Sequence, residues 1–399
     1  MTAVENDTED QARQDHFSAD QVGFGQEIRR FLAKGQPPER VRDIANDPAA
    51  VDRELWQRAA KELDLLGLMV PEDLGGSGFG FAEVSLVLNA AGAQLTSWPY
   101  LSSAVLATHC LLRSEAATAL LPRLTSGELV ATVATAGDGS WHLASGSVQA
   151  EQVADGSWTL TGSESYVTDG HVADVILVVG HSDDGARLFV VKAATTGFAV
   201  EVLPSLDRTR PLSRIDLTSS PAEVIGGPDV VEELDGTLPV IAAAALAQEQ
   251  AGGALRTVEI TAEYAATRRQ FGRSIGSFQA VKHKCADQYI RSETSSAFAE
   301  ALAFDVDAAL RTGTLGDSGL GVSVAAAAVH CGDAFVQNAE TMIQVHGGIG
   351  FTWEHDAHLY LRRAGSTAQL FGSRDGHLGL LAHQITEGSL LDRSQRVSP

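Results

Sequence analysis

The chain has 399 residues, enough for two or three domains and a large buried core. Its 44% hydrophobic and 20% charged residues are proportions of a globular protein. A net charge of −22 argues against a nucleic-acid or anionic-membrane partner, since both need a basic face.

Residues 1–19 read as a disordered tail, polar and acidic, with no basic start and no apolar stretch of a signal peptide. No apolar run is expected to reach the roughly 18 residues of a membrane span, so the expected location is cytoplasmic. Residues 20–128 read as an all-helical domain. Val22, Ile28, Phe31 and Leu32 recur near the helical period until Pro37-Pro38, and Leu55, Ala59, Leu63 and Leu66 share one face of a second helix. A glycine-rich loop, Val70-Pro71-Glu72-Asp73-Leu74-Gly75-Gly76-Ser77-Gly78, precedes helices over about 81–93, 102–112 and 116–126.

Residues 129–229 change character. Short Val/Thr/Leu-rich segments alternate with turn signals: Asp155-Gly156 predicts a hairpin, and Asp183-Asp184-Gly185 separates the apolar strands 175–179 and 188–191. This is the pattern of a small antiparallel barrel or sandwich. Residues 230–390 are helical again, in runs ending near 267, 311, 345 and 385, followed by a tail over 391–399. Ala247, Ala251, Ala254, Val258, Ala262 and Ala265 form a small-residue stripe that suits close packing in a four-helix bundle. Cys110, Cys285 and Cys331 make an odd count without a C-x-x-C pair. A disulfide framework or a metal site is not expected, and the usage fits a reducing cytosol.

Two stretches carry the chemistry. Arg268-Arg269-Gln270-Phe271-Gly272, continuing to Ser277-Phe278-Gln279, joins two long helices, and Gln344-Val345-His346-Gly347-Gly348-Ile349-Gly350-Phe351 ends a third. An Arg at a helix end and paired glycines suit a pyrophosphate, which needs a cation and close backbone amides. Together with the 70–76 loop and Tyr166-Val167-Thr168-Asp169-Gly170, which looks like a variant of Trp-Ile-Thr-Asn-Gly, these motifs resemble the acyl-CoA dehydrogenase family over about residues 20–390. The resemblance implies an N-terminal helical domain, a middle β domain and a C-terminal four-helix bundle. It implies FAD as cofactor, an acyl-CoA substrate and an electron-transfer flavoprotein as acceptor. Arg268, Phe271, Gln279, Gln344, Gly347 and Gly348 would contact the FAD of a neighbouring subunit, and Thr168 the chain's own.

The same resemblance exposes gaps. The family removes the α-proton of the thioester with a Glu, and its two usual positions fall on Phe371 and Ala242. The family's Thr-Glu-Pro-x-x-Gly-Ser-Asp segment is poorly matched by Ala134-Thr135-Ala136-Gly137-Asp138-Gly139-Ser140. Its flavin-flanking Trp is Tyr166, and the Thr and Gln after the usual base are Ser373 and Asp375. What a subunit gives its neighbour is kept, and most of what it needs for itself is altered. That pattern resembles the base-less subunit of actinobacterial α2β2 enzymes of steroid side-chain and other bulky acyl-CoA breakdown, as does Ser97-Trp98-Pro99-Tyr100-Leu101. Two other readings stay open: a self-sufficient homotetramer with its base moved to Glu249 or Asp375, and a non-catalytic acyl-CoA-binding or scaffold protein. His346 is left without a role.

Overall fold

A computed structural model describes residues 16–47, 51–114, 116–135 and 143–386. The tails before 16 and after 386, and the 136–140 part of the poorly matched segment, lie outside the described residues. Helix α1 (Ala19–Gly35) starts at a reciprocal cap: Gln21 N donates to Ser18 Oγ (3.3 Å) and Ser18 N donates to Gln21 Oε1 (2.9 Å). Helix α2 (Pro38–Asn46) opens on a proline, whose missing N–H has no helical partner at that position. Asp52 caps α3 (Arg53–Leu63) by accepting from Leu55 N at 3.0 Å. The glycine-rich loop then turns so tightly that a Cβ on Gly76 would lie 2.1 Å from Val70 O. Helix α4 (Phe81–Gln94) follows, buried along most of its length.

The helix expected over 102–112 is a wider π-helical stretch, Tyr100–Ala107, running into α5 (Thr108–Leu111). Every residue of Tyr100–Ala107 is buried, so no polar face marks a helical period. Trp98 stacks on Tyr100 at 5.0 Å and meets Trp56 edge-on at 6.3 Å, while Tyr100 Oη donates to Leu65 O at 3.0 Å. The 97–101 segment is therefore a core anchor. Helix α6 (Ala117–Thr125) closes this group.

The sheet contains β1 (Ala131–Ala134), β2 (Gln149–Gln152), β3 (Trp158–Thr168), β4 (Val175–Ser182), β5 (Gly185–Lys192), β6 (Phe198–Val202) and β7 (Leu212–Gly226). The order is β1-β4-β2-β3-β7-β5. Strand β5 also pairs with β4, closing the ring, and β6 adds to β7. The β2–β3 hairpin turns at Asp155-Gly156, with Gly156 at φ +88°. The sheet is not purely antiparallel: β1 runs parallel to β4, and β2 meets β4 in parallel at Gln149 and His181. Strand β1 enters from the helices, and the chain reaches β4 only after the β2–β3 hairpin, so both run the same way.

The last group holds α7 (Pro228–Thr267), a hairpin of β8 (Arg269–Gln270) and β9 (Arg273–Ser274), then α8 (Gln279–Thr312), α9 (Ser318–His346), α10 (Ala357–Thr367) and α11 (Arg374–Thr386). The run expected over 356–385 is thus two helices. Their junction places Phe371 at φ +61° and Gly372 at φ +116°, which a continuous helix cannot contain. Of the α7 stripe, Ala247, Ala251, Ala254, Val258 and Ala265 are buried, while Ala262 is exposed. Helices α4 and α7 cross nearly backbone to backbone: a Cβ on Gly92 would lie 2.0 Å from Glu249 O, and one on Gly252 1.9 Å from Asn89 O. One stretch, Gly319–Phe351, is long and apolar enough to cross a membrane by length and composition, with hydropathy 1.5, contrary to the sequence expectation. Its apolarity comes from the alanine and valine run of α9, which packs against α7 and α8.

Candidate functional site

Arg268 caps the end of helix α7: its N donates to Tyr264 O at 2.8 Å and its O accepts from Ile275 N at 2.8 Å. The chain then reverses through Phe271 (φ +50°) and Gly272 (φ +78°), the two-residue hairpin loop with both residues left-handed. Glycine takes that geometry freely; a bulky side chain is strained in it. Phe271 is also 90% exposed, so burial within this chain does not offset the strain. Phe278 meets it edge-on at 6.1 Å, and the Arg273 guanidinium lies 4.0 Å from the Phe278 ring centroid. Exposed Gln279 is the first residue of α8.

The end of α9 joins this corner. Lys284 Nζ donates to Gln344 Oε1 at 2.6 Å, and the His346 ring stacks on Tyr264 at 4.1 Å. Gly347 caps α9 at φ +64°, and it and Gly348 face solvent. Arg268, Phe271, Gln279, Gln344, Gly347 and Gly348 therefore share one end of the bundle. In a chain of net charge −22, residues 268–284 hold Arg268, Arg269, Arg273, Lys282 and Lys284 and no acid. Among the described residues Arg268, Arg269 and Arg273 have no ion-pair partner. Phe351 and Trp353 add exposed aromatic surface. Free guanidinium groups, exposed rings and glycine backbone fit the diphosphate and base of a dinucleotide.

Thr168 lies elsewhere. It is buried at the end of β3, opposite Leu212, and its carbonyl accepts from Thr132 Oγ1 at 2.6 Å. The next residue, Asp169, feels the charges of Arg210 and Glu249. Glu249 precedes Arg268 by 19 residues on α7, a distance of about 28 Å at helical rise. Thr168 and the Arg268 corner thus belong to different sites of the chain.

Neither usual base position holds an acid. Phe371 is 3% exposed and Ala242 fully buried. Both Glu249 oxygens accept from Arg210 Nη2, at 2.6 and 2.5 Å, inside the protein. Asp375 is 95% exposed at the start of α11, 4.0 Å from Arg374. Beside the α10–α11 junction opens a cleft of about 280 Å³ lined by Ala243, Leu246, Gln250, Val336, Leu370 and His377, among others. Its one lining carboxylate, Asp333, is held by Arg374 at 2.9 Å.

A buried ionic network that the sequence did not reveal sits where sheet meets bundle. Arg363 pairs with Asp207 and donates to Thr209 Oγ1 at 2.6 Å, next to the Arg210–Glu249 pair. Asp169 accepts from Ser102 Oγ at 2.7 Å, and burial pushes its carboxyl up to about 6 against the opposing pull of Ser102, Arg210 and Arg363. Its folded pKa lies above its unfolded one. Stability from Asp169 is therefore full near pH 4 and is lost as pH rises through about 6. Asp169→Asn, which keeps an acceptor for Ser102, is expected to stabilise the chain at pH 7.5 by about 2–3 kcal/mol, at about 1.4 kcal/mol per pKa unit. Denaturant titrations across pH 4–8 check this. Equal stability of variant and wild type at pH 7.5 would refute it.

Helices, a closed sheet and a long-helix bundle thus carry a cationic, aromatic corner suited to a dinucleotide. Residues 18–128 match the acyl-CoA dehydrogenase N-terminal domain, and residues 241–386 its C-terminal domain. The chain belongs to the acyl-CoA dehydrogenase family, whose members bind FAD and act on acyl-CoA. Acyl-CoA dehydrogenase FadE27 of Mycobacterium tuberculosis is 35% identical over 360 residues, 88% of this chain and 92% of that one. In the ChsE4-ChsE5 complex from Mycobacterium tuberculosis, one chain superposes with a TM-score of 0.80 at 31% identity, covering 94% of this chain and 99% of that chain. A variant of the Tcur3481-Tcur3483 steroid ACAD superposes with a TM-score of 0.79 at 26% identity, covering 93% and 99%.

Proposed function

We propose that this chain is the acid-less subunit of an α2β2 FAD-dependent acyl-CoA dehydrogenase and completes the FAD site of a Glu-bearing partner. The division within the chain carries the proposal: the Arg268 corner is complete and open to solvent, while Phe371 and Ala242 stand at both base positions and Glu249 is neutralised by Arg210. The partner subunit brings the acid that takes the α-proton. Bound FAD supplies the acceptor for the hydride of the β-carbon. On this chain, Arg268 balances the charge of the pyrophosphate and Phe271 covers the nucleotide. Gln279 and Gln344 offer amide contacts, and Gly347 and Gly348 let the backbone come close.

Other observations support an assembly. Helix α8 leaves Tyr289, Ile290 and Phe298 exposed, and α11 buries none of its residues. Two of the similar solved structures carry paired names, the ChsE4-ChsE5 complex and the Tcur3481-Tcur3483 steroid ACAD. These favour a steroid side-chain or other bulky acyl-CoA as substrate; an electron-transfer flavoprotein as acceptor rests on the family resemblance. The ion pair of Glu249 and the exposure of Asp375 weigh against a self-sufficient homotetramer.

Gly348 offers a sharp test. A Cβ there meets nothing within 4 Å and its φ is not left-handed, so folding does not require glycine. Gly348→Ala is expected to keep the stability of the chain and lower the flavin content of the co-expressed complex. Arg268→Ala should weaken FAD binding at least about tenfold, the scale of a lost charge-assisted hydrogen bond. Unchanged flavin content in both variants contradicts the proposal.

A further inference from the structure

Three rings join the two halves of the Arg268 corner. His346 lies between Tyr264, at 4.1 Å and 22° between planes, and His355, at 4.4 Å and 50°. Tyr264 stands one helical turn before Arg268, and His346 directly precedes Gly347. Tyr264 Oη donates to His346 O at 3.4 Å, the carbonyl of the peptide leading into Gly347. The turn Gly347–Phe351 folds back on the same residue, since a Cβ on Gly350 would lie 2.8 Å from His346 Cβ. One ring thus ties the end of α7, the end of α9 and the start of α10.

His346 Nδ1 lies 2.7 Å from Met342 O, which sets the tautomer: Nδ1 donates and Nε2 is left without a proton. Nε2 is buried and has no hydrogen-bond partner among the described residues. We infer that His346 is a positioning residue for the FAD contact, holding Arg268 and the Gly347-Gly348 turn in one register and releasing them when its ring is protonated. This rests on the proposed function.

The surroundings explain the switch. The faces of the ring meet Tyr264 from α7 and His355 from the segment before α10, and its own helix supplies only the Met342 carbonyl. Behind His355 stand the Arg42–Asp356 pair at 2.5 Å, His358 and Arg362. Asp356 is already held by Arg42, which also pairs with Glu39 at 3.3 Å, and Glu354, directly before His355, is exposed. A proton on Nε2 would find no acceptor, and its charge would be buried beside another imidazole. Burial holds the His346 imidazole below its usual range, with His355 adding to the effect and the Met342 carbonyl opposing it.

The test uses the full chain in complex with its Glu-bearing partner, with FAD affinity measured near pH 7.5 and near pH 5.5. The wild type is expected to weaken about tenfold at the lower pH, on the scale of a histidine crossing its titration range. His346→Phe keeps a ring but cannot be protonated. It should bind FAD close to wild type at pH 7.5 and lose most of the pH step. His346→Ala should bind weakly at both, and in hydrogen exchange of the chain it should speed both 268–275 and 347–351. Wild-type affinity in His346→Ala, or a full pH step in His346→Phe, overturns the inference. If Arg268→Ala weakens FAD and His346→Ala does not, the inference fails alone. If neither weakens FAD, the proposed function fails with it.

Discussion

Glu249→Gln is expected to destabilise the folded chain by about 3 kcal/mol, the lower part of the range for breaking a buried ion pair, and to leave the assembled enzyme's rate nearly unchanged. Both partners are inside the protein, Arg210 at 9% and Glu249 at 5% side-chain exposure. The change strands a guanidinium whose Nη1 has no hydrogen-bond partner among the described residues. Asp207 cannot take over both bonds, because Arg363 engages it. Asp207 and Asp169, which is ionised above about pH 6, still attract Arg210, and this keeps the loss at the lower end. A catalytic base would behave oppositely: its removal costs roughly 10²–10⁴ in rate with little change in stability. Denaturation of the variant together with turnover of its complex separates the two roles. A stable variant with a collapsed rate would install Glu249 as the base and sink the acid-less reading.

The second large effect concerns the partner. Acyl-CoA turnover is expected to rise by roughly 10²–10⁴ when the chain is co-expressed with a Glu-bearing relative, the contribution of a positioned general base. Changing the relative's Glu to Gln should remove that gain, whereas Asp375→Asn in this chain should not. Asp375 stands in solvent beside Arg374, with no pocket around its carboxylate to aim it at a substrate. Phe371 cannot stand in, being an apolar ring buried in a left-handed turn. Turnover by this chain alone at the rate of the pair would contradict the account.

The corner around Arg268 was legible because its signals are local. A helix end, a Phe271-Gly272 turn and a glycine stop after Gln344 are written within a few residues each, and the helices on either side fix where they meet. The buried network was not legible, because Arg210 finds Glu249 39 residues away and Arg363 finds Asp207 156 residues away. Asp169 read as a motif variant; only packing shows that its carboxyl is buried. The α10–α11 break was missed because Leu370-Phe371-Gly372-Ser373 carries no proline, and a left-handed Phe371 has no signature in sequence. The parallel pairing of β1 with β4 was not legible either, since direction within a sheet is set by topology and not by composition. His346 showed no partner because its partners, Tyr264 and His355, lie on other elements.

The central claim is that this chain serves a flavin held mainly by another subunit. Counting FAD per chain in the purified complex tests it most directly. The account predicts a colourless preparation of the chain alone and, with the Glu-bearing partner, a yellow active complex with one FAD for each pair of unlike chains. A yellow, active assembly of this chain alone, with one FAD per chain, would contradict it.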